Sequence, residues 1–140
     1  SVQSNAPEAK IDGIIVAEMI SGGIETVLGV TNDPVFGPTV MFGLGGVFVE
    51  VLKDVAFRVA PFGTEEARRM IDEIRGRAVL DGARGAPPAD IEALANAISA
   101  LSIFAAENSD NIQTIDINPF IVLPKGAVAV DALIIPTSGT

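Results

Sequence analysis

The periodicity of apolar residues changes twice along the chain, and this constrains the fold more than any other feature. Between residues 13 and 60, short apolar runs alternate with turns rich in Gly and Pro, as in an antiparallel meander. From Thr64 to about residue 107, apolar residues recur at helical spacing. An apolar strand pair follows. The order of strands, two helices and strands predicts an α+β fold, with two main helices packed on one face of an antiparallel sheet.

The first half of the chain is predicted to contain five strands. They are Gly13–Met19, Ile24–Val30, Thr39–Phe42, Val47–Leu52 and Val55–Ala60. Turn-forming sequences separate them, including SGG at 21–23, NDPVFGP at 32–38 and the pair Lys53-Asp54.

Two amphipathic helices are predicted in the second half. Thr64 is a suitable N-cap for the first, and Glu65 and Glu66 favour the helix dipole. Its apolar stripe comprises Ala67, Met70, Ile71, Ile74 and Ala78. Asp90 is predicted to cap the second, whose apolar face comprises Ile91, Leu94, Ala95, Ile98, Leu101 and Ala105 and which ends at the NSDN of 108–111.

Composition excludes several classes of function. The 140 residues contain no Cys and no His and carry a net charge of −9. The chain therefore lacks disulfides, thiolate or His metal sites and a Ser-His-Asp triad, and its acidity argues against nucleic-acid binding. No apolar run reaches the length of a membrane span, and the first residues do not resemble a signal peptide. We therefore expect a cytoplasmic location and no membrane partner.

The segment Thr114–Asp131, TIDINPFIVLPKGAVAVD, reads as a β-hairpin. The four residues LPKG at 123–126 suit a type I turn, with Pro second and Gly fourth. If Leu123 faces Gly126, every opposed pair of residue numbers sums to 249. This register places Asn118 opposite Asp131.

The faces of this hairpin admit two interpretations. Thr114, Asp116 and Asn118 share one strand face, because successive side chains alternate. Opposed side chains start about 4.5–5.5 Å apart, so the amide of Asn118 and the carboxylate of Asp131 can converge on a hard cation such as Mg²⁺. The alternative is a solvated polar face over an Ile/Val core.

The Gly-rich stretch and the nearby charges are less specific. GLGG at 43–46 allows a close backbone approach to phosphate, but it is equally consistent with a plain turn. Lys53 and Arg58 are candidate phosphate contacts, or else surface charges paired with Glu50 or Asp54. Glu18 and Glu25 flank the SGG turn, a connection suited to holding a nucleoside.

These motifs together resemble a known family. VAEMISGGIETVLGVTNDPVFGPTVMFGLGGVFVEVLKDVAFRVAP, LDGARGAPPAD, IDINPFIV and AVD occur in this order. The string strongly resembles the ATP-grasp domain of the NDP-forming acyl-CoA synthetases, relatives of the succinyl-CoA synthetase β chain. The similarity runs from about Pro7 to Ile134. It implies that residues 7–135 form the C-terminal lobe of an ATP-grasp fold, after six vector-derived or disordered residues, 1–6, and before a disordered tail, 136–140.

The resemblance also implies roles for individual residues. The hinge, formed by Glu18, Met19, Ile20 and Ser21, would meet adenine, and Glu25 would meet ribose. Asn118 and Asp131 match the Mg²⁺ ligands of the family. Asp116 replaces the Glu that many relatives carry two residues before the Asn.

The implied reaction is ATP-dependent acyl-CoA synthesis through a phosphohistidine and an acyl phosphate. The other ATP-grasp lobe, the CoA-binding domain and the phosphohistidine segment would lie elsewhere on this or another chain, and Arg58 and Lys53 are the candidate catalytic cations. Because such a lobe would expose former interfaces, we expect a homo-oligomer. The alternative function is a ligand-sensing module of a protein lysine acetyltransferase, which need not turn over ATP.

Overall fold

The computed structural model describes residues 5–6, 8–10, 12–46, 51–82, 85 and 87–137. It confirms the α+β prediction: one six-stranded antiparallel sheet carries the helices on one face. The strands are β1 (Ile24–Asp33), β2 (Gly37–Leu44), β3 (Val55–Val59), β4 (Ile112–Val122), β5 (Ala127–Ala129) and β6 (Ala132–Pro136). Their order is β3-β2-β1-β4-β5. Strand β6 pairs with the first part of β4, along the same edge of β4 as β5.

The core lies between the sheet and two α-helices, α1 (Thr64–Glu73) and α2 (Ile91–Glu107). On β2, Val40, Phe42 and Leu44 are buried beneath the helices, because alternate residues of a strand share a face. The apolar stripes predicted for both helices meet them there, except for Ala78, which is exposed. The opposite face of the sheet carries no helix within the described residues. A site built on that face is therefore open to a ligand or to another domain.

The first helix differs from its prediction at both ends. Its N-cap is Gly63, not Thr64, and the cap has no side-chain hydrogen bond. The helix ends at Glu73, and Ala78 lies in a separate 3₁₀ helix, Arg75–Asp81. The reason for this break is the buried Asp54, whose carboxylate accepts hydrogen bonds from the backbone N–H groups of Arg75 and Gly76 at 2.8 and 2.7 Å.

The first predicted strand, Gly13–Met19, is wrong. These residues form an irregular segment whose side chains are exposed. A strand needs a neighbour for its backbone hydrogen bonds, and within the described residues no strand pairs with this segment. The prediction of Val47–Leu52 falls partly outside the described residues, and Val51 and Leu52 form an exposed turn.

The end of the chain is more regular than its sequence indicates. The return strand of the hairpin is split into β5 and β6, and both keep the same register against β4 as far as Ile135, after which the register shifts. Pro136, the first residue of the expected tail, is the last residue of β6. Thr137 donates its backbone N–H to the carbonyl of Asn111 at 2.9 Å. Residues 138–140 lie outside the described residues. No helix in the described part of the chain is long and apolar enough to cross a bilayer.

Candidate functional site

The hairpin register predicted from the turn is confirmed. Phe120, Ile121 and Val122 pair with Ala129, Val128 and Ala127, so each pair of numbers sums to 249. The backbone N–H of Asn118 donates to the carbonyl of Asp131 at 3.2 Å. Asn118 and Asp131 are therefore opposed, as the sequence predicts.

The hairpin also separates its polar and apolar sides. Ile115 is buried against the core, whereas Asp116, Asn118 and Asp131 are exposed. Within the described residues, no group of three or more acidic side chains could hold a metal ion. The protein ligands of a cation here would thus be one amide oxygen and one carboxylate. This donor set fits Mg²⁺, which keeps several waters and takes further oxygens from substrate phosphates.

The turn of the hairpin is attached to the start of α2 through Asp90. One carboxylate oxygen of Asp90 accepts from the N–H of Ala93 at 3.0 Å, and the other accepts from the N–H of Gly126 at 2.8 Å. The N–H of Asp90 donates to the carbonyl of Leu123 at 2.8 Å. Hydrogen bonds, from Gly126 first and then from Ala93, lower the pKa of the Asp90 carboxyl. The cap is predictable from the sequence, whereas the contact with the turn is not.

The hinge residues precede β1, whose first residue, Ile24, pairs with Val122 just before this turn. Glu18, Met19 and Ser21 are exposed, and Ile20 is partly buried. Glu25, in the first part of β1, has an exposed side chain, and its carbonyl accepts from the N–H of Gly45 at 2.8 Å. The hydrogen bond brings Gly45, the third residue of the Gly-rich stretch, against Glu25.

Lys53 and Arg58 are not brought next to the opposed pair. They lie just before and within β3, which is three strand spacings from β4, or roughly 14 Å. Lys53 is exposed. Arg58 forms ion pairs with Glu73 and with Glu66, the latter at 2.7 Å. Hydrogen bonds to these two carboxylates raise the pKa of Arg58.

A groove of about 580 Å³ crosses the open face of the sheet. Apolar side chains line it, including Phe36, Met41 and Phe57, and the lining also includes Asp33 and Asp116. The groove includes neither Asn118 nor Asp131. It thus borders the polar side of the hairpin without containing the opposed pair.

A family model and the sequences of known proteins identify the same family for this chain. The model of the ATP-grasp domain family matches residues 1–135. The β subunit of an ADP-forming acetate–CoA ligase II of Pyrococcus furiosus is 49% identical over 131 residues, which cover 92% of this chain and 56% of the subunit. The chain thus spans about half the length of that relative.

Solved structures agree with this result. The dinucleotide-forming acetyl-coenzyme A synthetase 1 of Ca. Korarchaeum cryptofilum, in complex with coenzyme A, Ca-AMPCP and HgCl⁺, is 48% identical with a TM-score of 0.86. The match covers 96% of this chain and 58% of that one. The same enzyme with coenzyme A and Mg-AMPPCP, its phosphohistidine segment pointing towards the nucleotide-binding site, has a TM-score of 0.79 at 48% identity. That match covers 84% of this chain and 55% of the other.

Proposed function

The chain belongs to the ATP-grasp domain family, and we propose that it is the nucleotide- and Mg²⁺-binding part of an ADP-forming acyl-CoA ligase. The reaction would convert an acid, CoA and ATP to acyl-CoA, ADP and phosphate. The observation that carries the proposal is the opposed, exposed pair of Asn118 and Asp131 on the hairpin. The relatives support the reaction class, since the Pyrococcus furiosus protein is a subunit of such a ligase.

In this proposal Asn118 and Asp131 hold the cation through one oxygen each. A bound Mg²⁺ would neutralise charge on the phosphates during phosphoryl transfer, a reaction that depends mainly on positioning and electrostatic stabilisation. Because both side chains are exposed, the cation would remain accessible to water and phosphate. Oxygen atoms of water and of the phosphates would complete its octahedral coordination.

The hinge and the cations have secondary roles in the proposal. Glu18 to Ser21 would contact adenine through backbone groups, and Glu25 would bind a ribose hydroxyl. The exposure of Glu18, Met19, Ser21 and Glu25, and their place just before and at the start of β1, support this assignment. Lys53, with its exposed ammonium group, is the first choice for a phosphate contact. Arg58 would make one only by exchanging its carboxylate partners, Glu73 and Glu66.

The remaining parts of the enzyme would come from outside this chain. The second ATP-grasp lobe, the CoA-binding domain and the phosphohistidine segment are the proposed partners, and the whole would form a homo-oligomer. The exposed apolar segment around Ile14, Ile15 and Val16 supports such an assembly. Sedimentation of the complete protein as a monomer would exclude the homo-oligomer. The alternative of an acetyltransferase sensing module finds no support among the relatives described above.

The proposal is tested on the complete protein that contains this chain. Release of ADP is measured as a function of acid and CoA for wild type, Asn118→Ala and Asp131→Ala. Each substitution removes one of two protein ligands, so kcat/KM should fall about 100-fold, as when one electrostatic group is removed from a phosphoryl or acyl transfer site.

The matched control is Gln113→Ala, an exposed polar residue at the start of the same strand. It should retain wild-type turnover. Wild-type kcat/KM in both Asn118→Ala and Asp131→Ala would overturn the metal assignment. Absence of acid- and CoA-dependent ADP release in the wild type, across a panel of acids, would overturn the ligase proposal itself.

A further inference from the structure

We infer that Asp90 is a positioning residue for the cation site, because it fixes the hairpin turn that sets Asp131 opposite Asn118. The inference rests on the proposed function of these two residues. Asp90 would touch neither the cation nor the nucleotide. It would act through the turn Leu123–Gly126.

The geometry joins three parts of the chain at one residue. Asp90 caps α2 through Ala93, accepts from Gly126 on one side of the turn and donates to Leu123 on the other. Leu123 and Gly126 are themselves linked by a hydrogen bond of 3.0 Å. The turn is thus held to the helix by both of its ends.

Apart from the turn, the strand that follows it is held only by β4 within the described residues. β5 contains only three residues, Ala127–Ala129, and it is the last strand in its part of the sheet. Within the described residues, β4 alone pairs with it. Asp131 follows β5 after one residue and precedes β6, so it lies in a short link between two short strands. Two backbone hydrogen bonds hold this link to β4, from Val130 to the carbonyl of Pro119 at 3.0 Å and from Asn118 to the carbonyl of Asp131 at 3.2 Å. Motion of the turn would therefore pass along β5 to the carboxylate of Asp131.

Asp90→Asn separates the turn contact from the helix cap. Asn and Asp are about equally good N-caps, and the single side-chain oxygen of Asn can still accept from Ala93. The side-chain amide would then face the N–H of Gly126, so that two donors oppose each other. The substitution preserves the cap and the backbone bond to Leu123, and it removes the side-chain contact with Gly126.

Asp90→Ser provides a second, independent variant. Ser is also a good N-cap, but its shorter side chain carries one hydroxyl, which does not replace the second carboxylate oxygen at Gly126. Loss of the same function in both variants would assign the effect to the turn contact.

The matched control is Asp33→Asn in the β1–β2 turn. Asp33 also accepts two backbone N–H groups, from Val35 at 2.7 Å and Phe36 at 2.9 Å. Both bonds end on the same oxygen, so Asn can retain both. The control therefore makes the same chemical change at the other end of the sheet without losing a hydrogen bond.

The measurement is the dissociation constant of Mn²⁺ in the complete protein with saturating AMPPCP, followed by electron paramagnetic resonance of free Mn²⁺. Asp90→Asn and Asp90→Ser should weaken Mn²⁺ binding at least about tenfold, the lower end for groups that orient metal ligands. Asp33→Asn should stay within about twofold of wild type, because its hydrogen bonds are retained. Metal-free AMPPCP should bind all variants with wild-type affinity.

The outcomes separate this inference from the proposed function. Wild-type Mn²⁺ affinity in both Asp90 variants, with weakened affinity in Asn118→Ala and Asp131→Ala, would overturn the role of Asp90 alone. Wild-type affinity in all four would overturn the cation site and the inference with it. Equal loss of Mn²⁺ and metal-free AMPPCP binding would also overturn it, since that is the result of a general structural defect.

Discussion

At the scale of single residues, several carboxylates of this acidic chain bind backbone amides rather than cations. Asp33, Asp54 and Asp90 each accept two backbone N–H groups. The bonds of Asp54 and Asp90 tie together segments that are distant in sequence. Asp54 lies 22 residues from Gly76, and Asp90 lies 36 residues from Gly126. Local pattern alone gives no sign of these partners, so sequence analysis assigns Asp90 only its cap.

The contribution of Asp54 to stability is testable by truncation. Asp54→Ala removes the acceptor for two N–H groups at the start of the 3₁₀ helix. We expect the free energy of unfolding to fall by about 1–3 kcal/mol, the cost of leaving two partly buried donors unsatisfied. Urea denaturation measures it. The control Asp81→Ala breaks an exposed ion pair with Arg77 and should cost only about 0.2–1 kcal/mol. Equal losses of unfolding free energy in the two variants would contradict the stabilising role of the Asp54 hydrogen bonds.

The pH dependence of stability should report on Asp90. Its pKa is lowered in the folded protein by the N–H groups of Gly126 and Ala93, so the ionised carboxylate favours folding. This contribution is complete above the unfolded-state pKa of about 3.9 and is lost as the pH falls through the lower folded-state pKa. The difference in unfolding free energy between wild type and Asp90→Asn should therefore shrink on acidification from pH 6. If the difference in unfolding free energy stays constant with pH, the stabilising role of the ionised Asp90 carboxylate is contradicted.

At the scale of elements, the junction of the hinge with β4 depends on one glycine. Gly23 has a φ of +82°, and a Cβ there would lie 2.7 Å from Cγ2 of Ile121 and 2.9 Å from the carbonyl oxygen of Val122. Gly22 has a similar φ, +77°, but a Cβ there would meet nothing within 4 Å. The two glycines therefore form a natural pair for separating backbone strain from close packing.

Gly23→Ala should destabilise the protein more than Gly22→Ala. Both substitutions place Ala in the left-handed region, at a similar cost. Only Gly23→Ala adds the collision with β4, so its unfolding free energy should be lower by about a further 1–3 kcal/mol, the usual cost of overpacking. Denaturant titration of both variants measures this difference. Equal losses would show that β4 moves away without cost.

Elements were predictable where their signals are local. The apolar stripes of the helices follow from spacing, and the turn at Leu123–Gly126 is enough to set the register of the hairpin. Gly13–Met19 has the same β-branched composition as a true strand, but composition does not reveal whether a neighbouring strand exists. The end of α1 at Glu73 depends on Asp54, which is far away in sequence. Both wrong predictions arise because tertiary contacts override the local preference of the sequence.

At the scale of the whole molecule, the sheet has one face covered by helices and one face open. The candidate cation pair, the hinge and the Gly-rich stretch belong to the predicted site, and the opposition of Asn118 and Asp131 followed from the turn. The distance of Lys53 and Arg58 from that pair could not be predicted from the sequence, because strand order is a property of the assembled sheet. The exposed side of the sheet and the apolar segment at Ile14 to Val16 fit a lobe that works against other domains.

One measurement tests the central claim most directly. It is the anomalous diffraction of Mn²⁺ in crystals of the complete protein with AMPPCP. We predict one peak between the side-chain oxygens of Asn118 and Asp131, about 2.0–2.6 Å from each, the range of divalent-cation ligands, with the phosphates of AMPPCP on its open side. A bound AMPPCP whose Mn²⁺ lies away from both residues would contradict the account.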